Sequence, residues 1–287
     1  MPELTFNGTR VHYLENGSGE PVILIHSGGN TAGQWRGVSE HLGEGYRLLA
    51  IDLYGHGKSG PWPGPAGITI TDCAHPVLAL AEISAETCAE APHLVGHSYG
   101  AVVALRAAIM APGRFRSLTL FEPNAFSLLR DAGEAELFAE ARKHAEADMA
   151  DLARGAPETM LERFVDFWNL NPGMWAGLPA HTRQRLLASA EGIVDGWRAL
   201  LSDTTQIADL KRLRLPTLVM GGETTHRTLE RIREIVAAEI PGATGNTANT
   251  IPGAGHMAPI THPQPVADAI AAHLARRQIN SPNPCGK

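Results

Sequence analysis

Short runs of apolar residues alternate along the chain with longer stretches in which apolar positions recur every three or four residues. The first runs look like edge strands: Leu4-Thr5-Phe6 meets a turn at Asn7-Gly8, and residues 9–14 alternate in polarity. Pro21-Val22-Ile23-Leu24-Ile25-His26 is instead continuously apolar and β-branched, closed by Gly28-Gly29. Such a run suits a strand buried on both faces of a parallel sheet. Similar runs return at Arg47-Leu48-Leu49-Ala50-Ile51-Asp52, His93-Leu94-Val95-Gly96, Ser117-Leu118-Thr119-Leu120-Phe121 and Leu215-Pro216-Thr217-Leu218-Val219-Met220, with a last short strand near Thr250-Ile251-Pro252. Helical stretches separate them at about residues 34–42, 73–89, 101–111, 228–239 and 265–277.

Strands and helices that alternate through short connections predict an α/β fold, a mainly parallel sheet with helices on both faces. The rhythm breaks between residues 124 and 209, where strand-like runs vanish and amphipathic stretches at 134–148 and 158–168 take over. The expected organisation is therefore a core of residues 1–123 and 210–279, a helical insertion at 124–209, and a frayed Pro-, Gly- and Asn-rich tail at 280–287.

Composition narrows the function. Of 287 residues 44% are hydrophobic and 19% charged, as in a globular protein with a sizeable core. A net charge of −6 lacks the basic footprint of a nucleic-acid binder. No stretch approaches the roughly 18 apolar residues that a membrane helix requires, and the N-terminus lacks the basic and apolar regions of a signal peptide. A soluble, cytoplasmic protein acting on a small molecule is expected. Cys73, Cys88 and Cys285 lie far apart with no CxxC spacing, which argues for separate thiols rather than a disulfide framework or a zinc site. Without a metal-ligand cluster, a Rossmann glycine pattern or a P-loop, no cofactor is implied.

The sharpest chemical signal is Gly96-His97-Ser98-Tyr99-Gly100. It follows a buried strand and opens an apolar helix, the setting in which a tight turn exposes a nucleophilic serine. Glycines flank Ser98 because that turn leaves little room for Cβ atoms, and the helix N-terminus favours developing negative charge. The Tyr99 N–H, just after the nucleophile, is one candidate oxyanion donor. In His26-Ser27-Gly28-Gly29 the Gly28 N–H is the preferred second donor, with Ser27 next. Of thirteen histidines, only His256 combines a position after the serine and the last strand with a Gly-rich loop, Gly253-Ala254-Gly255-His256, from which a base could reach Ser98. His97 should point away from the elbow, and His26 should shape its own loop.

Together with Asp52-Leu53-Tyr54-Gly55-His56-Gly57-Lys58-Ser59, these motifs resemble the α/β-hydrolase superfamily, in register from about residue 22 to 273. The resemblance implies an eight-stranded, mostly parallel sheet, a helical cap at 124–209, and a structural role for Asp52. Haloalkane dehalogenases and epoxide hydrolases resemble the same fold but use an aspartate at the elbow, a chemistry that Ser98 excludes. Many relatives carry the triad acid after the strand equivalent to residues 216–220, where this chain reads Gly221-Gly222-Glu223-Thr224-Thr225. Others, including haloalkane dehalogenases and zearalenone lactonase, carry a glutamate after the preceding strand, and here Glu122 stands at that place. Glu122 is the favoured acid, Glu223 the alternative, and Asp209 a more distant one. The order Ser, acid, His holds for Glu122 and Glu223 alike.

The expected activity is hydrolysis of a small or medium, largely apolar carboxylic ester through an acyl-enzyme. A lactonase or C–C hydrolase using the same residues, and a non-catalytic ligand-binding module, are the competing readings. Ser27, Phe126, Trp168 and Trp175 are candidate pocket residues, in a segment that also holds Phe164, Phe167 and Trp197.

Overall fold

Side chains alternate across the buried strands and feed two separate cores, as a sheet covered on both faces requires. In the computed structural model, which describes residues 3–64, 67–88, 90–244 and 249–275, eight strands form one sheet. They are β1 (Glu3–Phe6), β2 (Thr9–Gly17), β3 (Glu20–Ile25), β4 (Tyr46–Ile51), β5 (His93–His97), β6 (Leu118–Phe121), β7 (Thr217–Gly222) and β8 (Thr250–Ile251). Their order is β1-β2-β4-β3-β5-β6-β7-β8. The strands from β3 onward run parallel, whereas β1 and β2 form an antiparallel hairpin at one edge. That hairpin turns through Asn7 and Gly8, both at positive φ, as its two-residue turn demands.

Ile23, Ile25, Leu49, Leu94, Leu120 and Val219 face one core, shared with α2 (Ile70–Thr87) and α3 (Tyr99–Met110). Val22, Leu24, Leu48, Val95, Phe121 and Met220 face the other, filled by α1 (Arg36–His41) and α13 (Pro263–Ala275). Each fully buried leucine or isoleucine contributes about 1.5–3 kcal/mol. The helix expected at 34–42 begins as a 3-10 turn, Ala32–Trp35, that runs into α1. Thr31 caps the start of the turn by accepting the Gly33 N–H.

Every element between β6 and β7 is a helix: α4 (Phe126–Asp131), α5 (Ala135–Ala153), α6 (Pro157–Trp168), α7 (Met174–Gly177), α8 (Ala180–Ala188), α9 (Ala190–Ser202) and α10 (Ile207–Leu210). The apolar stripe of α6 (Met160, Leu161, Val165, Trp168) is buried, as is that of α9 (Ile193, Val194, Trp197, Leu200). A buried carboxylate ties this layer together. Asp148 on α5 accepts from Trp197 Nε1 at 2.9 Å and pairs with Arg163 at 2.8 Å. After β7 come α11 (Arg227–Glu239) and, beyond β8, the short α12 (Ala258–Thr261).

The thiol expectation needs one correction. Cys73 is free and buried, its thiol pushed up to about 12 by burial, but Cys88 is disulfide-bonded. An odd count without CxxC spacing does not exclude a disulfide. Ala89, the end of the last expected helix, Cys285 and the tail at 280–287 lie outside the described residues. Among the described residues, no helix is long and apolar enough to cross a membrane.

Candidate active site

Strand register decides which side chains meet. β5 and β6 are neighbours with His97 opposite Phe121, so the next residue of each strand, Ser98 and Glu122, leaves the sheet side by side. β7 lies one strand further out, with Met220 opposite Phe121. Glu223, beyond its end, is therefore a strand away from the serine. Backbone bonds continue the register: Ser98 N–H donates to Phe121 O at 2.9 Å, and Glu122 N–H to Met220 O at 3.0 Å.

Ser98 sits in the sharp turn the motif predicted, at φ 55° and ψ −118°. Such a non-glycine conformation costs on the order of 1–3 kcal/mol and persists only where its surroundings enforce it. They do so here. A Cβ on Gly100 would lie 2.4 Å from the carbonyl oxygens of Ile25 and His26, and one on Gly96 2.4 Å from Gly100 O. The elbow thus packs against β3 at a separation only glycine allows.

His256, 4% exposed, joins the two strand ends. Its Nδ1–H donates to Glu122 Oε2 at 2.6 Å, leaving Nε2 to accept the Ser98 hydroxyl at 3.0 Å. Glu122 is fully buried, at φ 44°, and both of its carboxylate oxygens accept hydrogen bonds. Gly222 N–H donates to Oε1 at 2.7 Å and Thr225 Oγ1–H to Oε2 at 2.9 Å. A Cβ at Gly221 would come within 2.9 Å of Oε1, so glycine there makes room for the acid. The structure does not bring Glu223 to His256: its carboxylate is exposed and accepts the Gly253 N–H at 2.7 Å. Asp209 caps α10, accepting Gln206 N–H at 3.0 Å.

The loop carrying His256 looks mobile in sequence, but it is pinned. His97 Nε2–H donates to His256 O at 2.9 Å, and burial holds His97 well below the usual histidine range, so it stays neutral. Trp168 stacks over the His256 ring, centroids 5.0 Å apart and planes 28° apart. Neither contact could be read from spacing. Thr225 left a trace: it stands in the 221–225 stretch where a carboxylate was sought, and its hydroxyl bonds Glu122 on the neighbouring strand end.

The second strand-end loop presents a free amide. Ser27 N–H and Oγ–H both donate to Gln34 Oε1, at 3.1 and 2.8 Å, so that amide is committed. Among the described residues no hydrogen bond takes up the Gly28 N–H, and Tyr99 N–H, at the start of α3, has no intrahelical acceptor. Two neutral histidines brace this loop from behind. His26 Nε2 accepts Leu53 N–H at 3.0 Å, and His56 Nε2 accepts Gly29 N–H at 3.1 Å. Burial pushes His26 down to about 3 and lowers His56 as well. Asp52 organises the adjacent loop, accepting Ala32 N–H at 2.7 Å and Lys58 N–H at 3.0 Å.

Ser98 and His256 open onto a cavity of about 330 Å³, which Ser27, Gly28, Trp168 and Trp197 also line. The cavity wall does not include Phe126 or Trp175. Phe126 is buried behind Trp197, stacked on it at 5.9 Å. Trp175 is buried in α7, where its backbone N–H donates to Asp166 Oδ1. Both positions follow from helix faces that sequence alone leaves unoriented. Among the described residues, no group of three or more histidine, cysteine or acidic side chains could hold a metal ion.

Residues 22–269 match the model of the Alpha/beta hydrolase family. The chain therefore belongs to the α/β hydrolases. It is 26% identical over 280 residues to (E)-2-((N-methylformamido)methylene)succinate hydrolase of Acinetobacter baylyi, covering 93% of this chain and 95% of that protein. It is 38% identical over 141 residues to the dihydrolipoyllysine-residue acetyltransferase component of the acetoin cleaving system of Cupriavidus necator. That match spans 49% of this chain and only 36% of the relative. A thermophilic esterase from Thermogutta terrifontis superposes with a TM-score of 0.75 over 96% of this chain and 99% of its own, at 23% identity. That likeness speaks to the fold.

Proposed function

We propose that the protein is a serine hydrolase of carboxylic esters that works through an acyl-enzyme. One observation carries this reading: the unbroken chain of hydrogen bonds from Ser98 through His256 to Glu122, opening onto a mainly apolar cavity.

Ser98 Oγ attacks the ester carbonyl carbon while His256 Nε2 takes its proton. Glu122 holds the ring in the tautomer that leaves Nε2 free to accept, and it stabilises the imidazolium that follows. The negative charge developing on the carbonyl oxygen is taken up by the Gly28 and Tyr99 N–H groups, which no protein acceptor occupies among the described residues. As the C–O bond breaks, His256 returns the proton to the alcohol, leaving an acyl group on Ser98. Water then repeats the sequence, giving its proton to His256 and releasing the acid. In this reading residues 124–209 form a cap: Trp168 and Trp197 roof the cavity and keep bulk water from the reacting atoms.

The reading is tested with p-nitrophenyl butyrate in rapid-mixing experiments. A burst of p-nitrophenol stoichiometric with enzyme, absent in Ser98→Ala, is expected. No turnover by the wild type, or undiminished turnover by the variant, contradicts it.

A further inference from the structure

The cavity is not uniformly apolar. Its wall includes Arg185 on α8, but no aspartate or glutamate and no second lysine or arginine. Arg185 also lacks an acidic partner elsewhere among the described residues. One nitrogen, Nη1, donates to two neutral acceptors, Gly29 O at 3.0 Å and Asn30 Oδ1 at 3.1 Å. Three other recessed arginines are ion-paired, whereas Arg233, 8% exposed, has no ion pair among the described residues. Arg106 meets Asp203 at 2.6 Å, Arg163 meets Asp148 and Asp151, and Arg116 meets Glu90.

What sets Arg185 apart from Arg233 is that its half-buried guanidinium, with only neutral partners, lines the cavity and is open to a ligand there. Arginine stays charged whatever its surroundings, and removing that charge from water without a counter-ion is unfavourable. Burial alone acts on its ionisation, in the direction that opposes the charge. The planar fork still has donors beyond Nη1, a geometry suited to the two oxygens of a carboxylate. Thr182, one turn earlier on α8, lines the same cavity and places a hydroxyl on the same helix face.

We propose that Arg185 is the carboxylate-binding residue of the substrate cavity, so that the preferred substrate is an ester bearing a free carboxylate. This rests on the esterase reading above and narrows it, from apolar esters to half-esters of dicarboxylic acids or esters of carboxylate-bearing alcohols. Arg185 bonds the loop immediately after Gly28, so the substrate anion sits on the oxyanion side of the cavity, close to the scissile bond.

The competing role for Arg185 is that of a strut for the Gly28–Asn30 loop. A strut affects all substrates alike, whereas a carboxylate receptor affects only charged ones. The test therefore compares kcat/KM for p-nitrophenyl hydrogen glutarate, with the anion on the acyl side, for 4-carboxyphenyl butyrate, with it on the leaving side, and for neutral p-nitrophenyl butyrate and phenyl butyrate. In the wild type one charged ester should exceed its neutral counterpart. In Arg185→Gln that ratio should fall roughly ten- to a hundredfold, mainly through KM, as expected for losing hydrogen bonds to a charged group. Arg185→Lys, which keeps a charge, should retain part of the preference. A ratio unchanged in Arg185→Gln, or no preference in the wild type for either charged ester, overturns the proposal. Glutarate binding, read by fluorescence of Trp168 and Trp197 at the cavity, separates this from failure of the esterase reading. A protein that turns over no ester but binds glutarate in an Arg185-dependent way keeps the carboxylate site and loses the activity. Glutarate that binds wild type and Arg185→Gln alike removes the site whatever the activity.

Discussion

Replacing Glu122 by glutamine keeps the shape of the side chain and changes only what it can accept. In the wild type both oxygens accept: Oε1 from Gly222 N–H at 2.7 Å, Oε2 from Thr225 at 2.9 Å and from His256 Nδ1–H at 2.6 Å. Glutamine has one oxygen, which the rigid Gly222 amide will retain, and its NH2 then faces His256. The ring must present Nδ1 as an acceptor, which places the proton on Nε2, 3.0 Å from the Ser98 hydroxyl that it should deprotonate. In a different serine hydrolase the equivalent exchange costs about 10⁴ in kcat. Glu122→Gln should fall in the same range, about 5 kcal/mol of barrier. Glu223→Gln, which loses only the exposed bond to Gly253, should stay within about tenfold of wild type. The assay is kcat on p-nitrophenyl butyrate, with circular dichroism to confirm that both variants fold. A folded Glu122→Gln protein within tenfold of wild type refutes the assignment, and a severe loss in Glu223→Gln alone would move the acid there.

Thr225→Val removes one bond to the charged carboxylate and should lower kcat by roughly ten- to a hundredfold; an unaltered kcat would make Thr225 dispensable. Trp168→Ala takes away the ring over His256 and part of the cavity wall. It should lower stability by about 3–5 kcal/mol in urea unfolding and shift KM in favour of longer acyl chains, and identical chain-length selectivity would argue that Trp168 only packs. Burial holds the Asp148 carboxyl up at about 6, above its ordinary 3.8, although Arg163 acts in the opposite direction. The folded state therefore binds that proton more tightly than the unfolded chain, a contribution fully present below about pH 4 and lost as pH rises through about 6. Measured against the non-titrating Asp148→Asn, wild-type stability should fall by up to about 3 kcal/mol across that window; a rise would contradict the argument.

Much of this architecture was legible because parallel strands buried on both faces are written as unbroken apolar runs. The run from Pro21 to Ile25 and that from Leu118 to Phe121 appear in the sheet nearly where the pattern places them. Ser98 was legible for a local reason, since the turn that exposes it requires Gly96 and Gly100 on either side. Glu122 was half legible. A carboxylate directly after a buried strand demands a partner, but only the pairing of His97 with Phe121 determines that Ser98 and His256 are within reach. The helical segment was the least readable. Amphipathic spacing locates α5 and α6 but does not say which aromatic ring turns toward the cavity, so Phe126 and Trp175 were expected there while Arg185 was not. Long-range polar contacts, such as Gln34 to Ser27 and His97 to the His256 carbonyl, carry no sequence periodicity at all.

The central claim is that Ser98 is a nucleophile activated by His256. Its most direct test is covalent labelling with a serine-reactive fluorophosphonate, read by mass spectrometry of the intact protein and of its peptides. The account predicts a single adduct on the peptide containing Ser98, with loss of esterase activity in proportion to labelling and no adduct in Ser98→Ala. An adduct on another peptide, or full activity in protein labelled at Ser98, would contradict it.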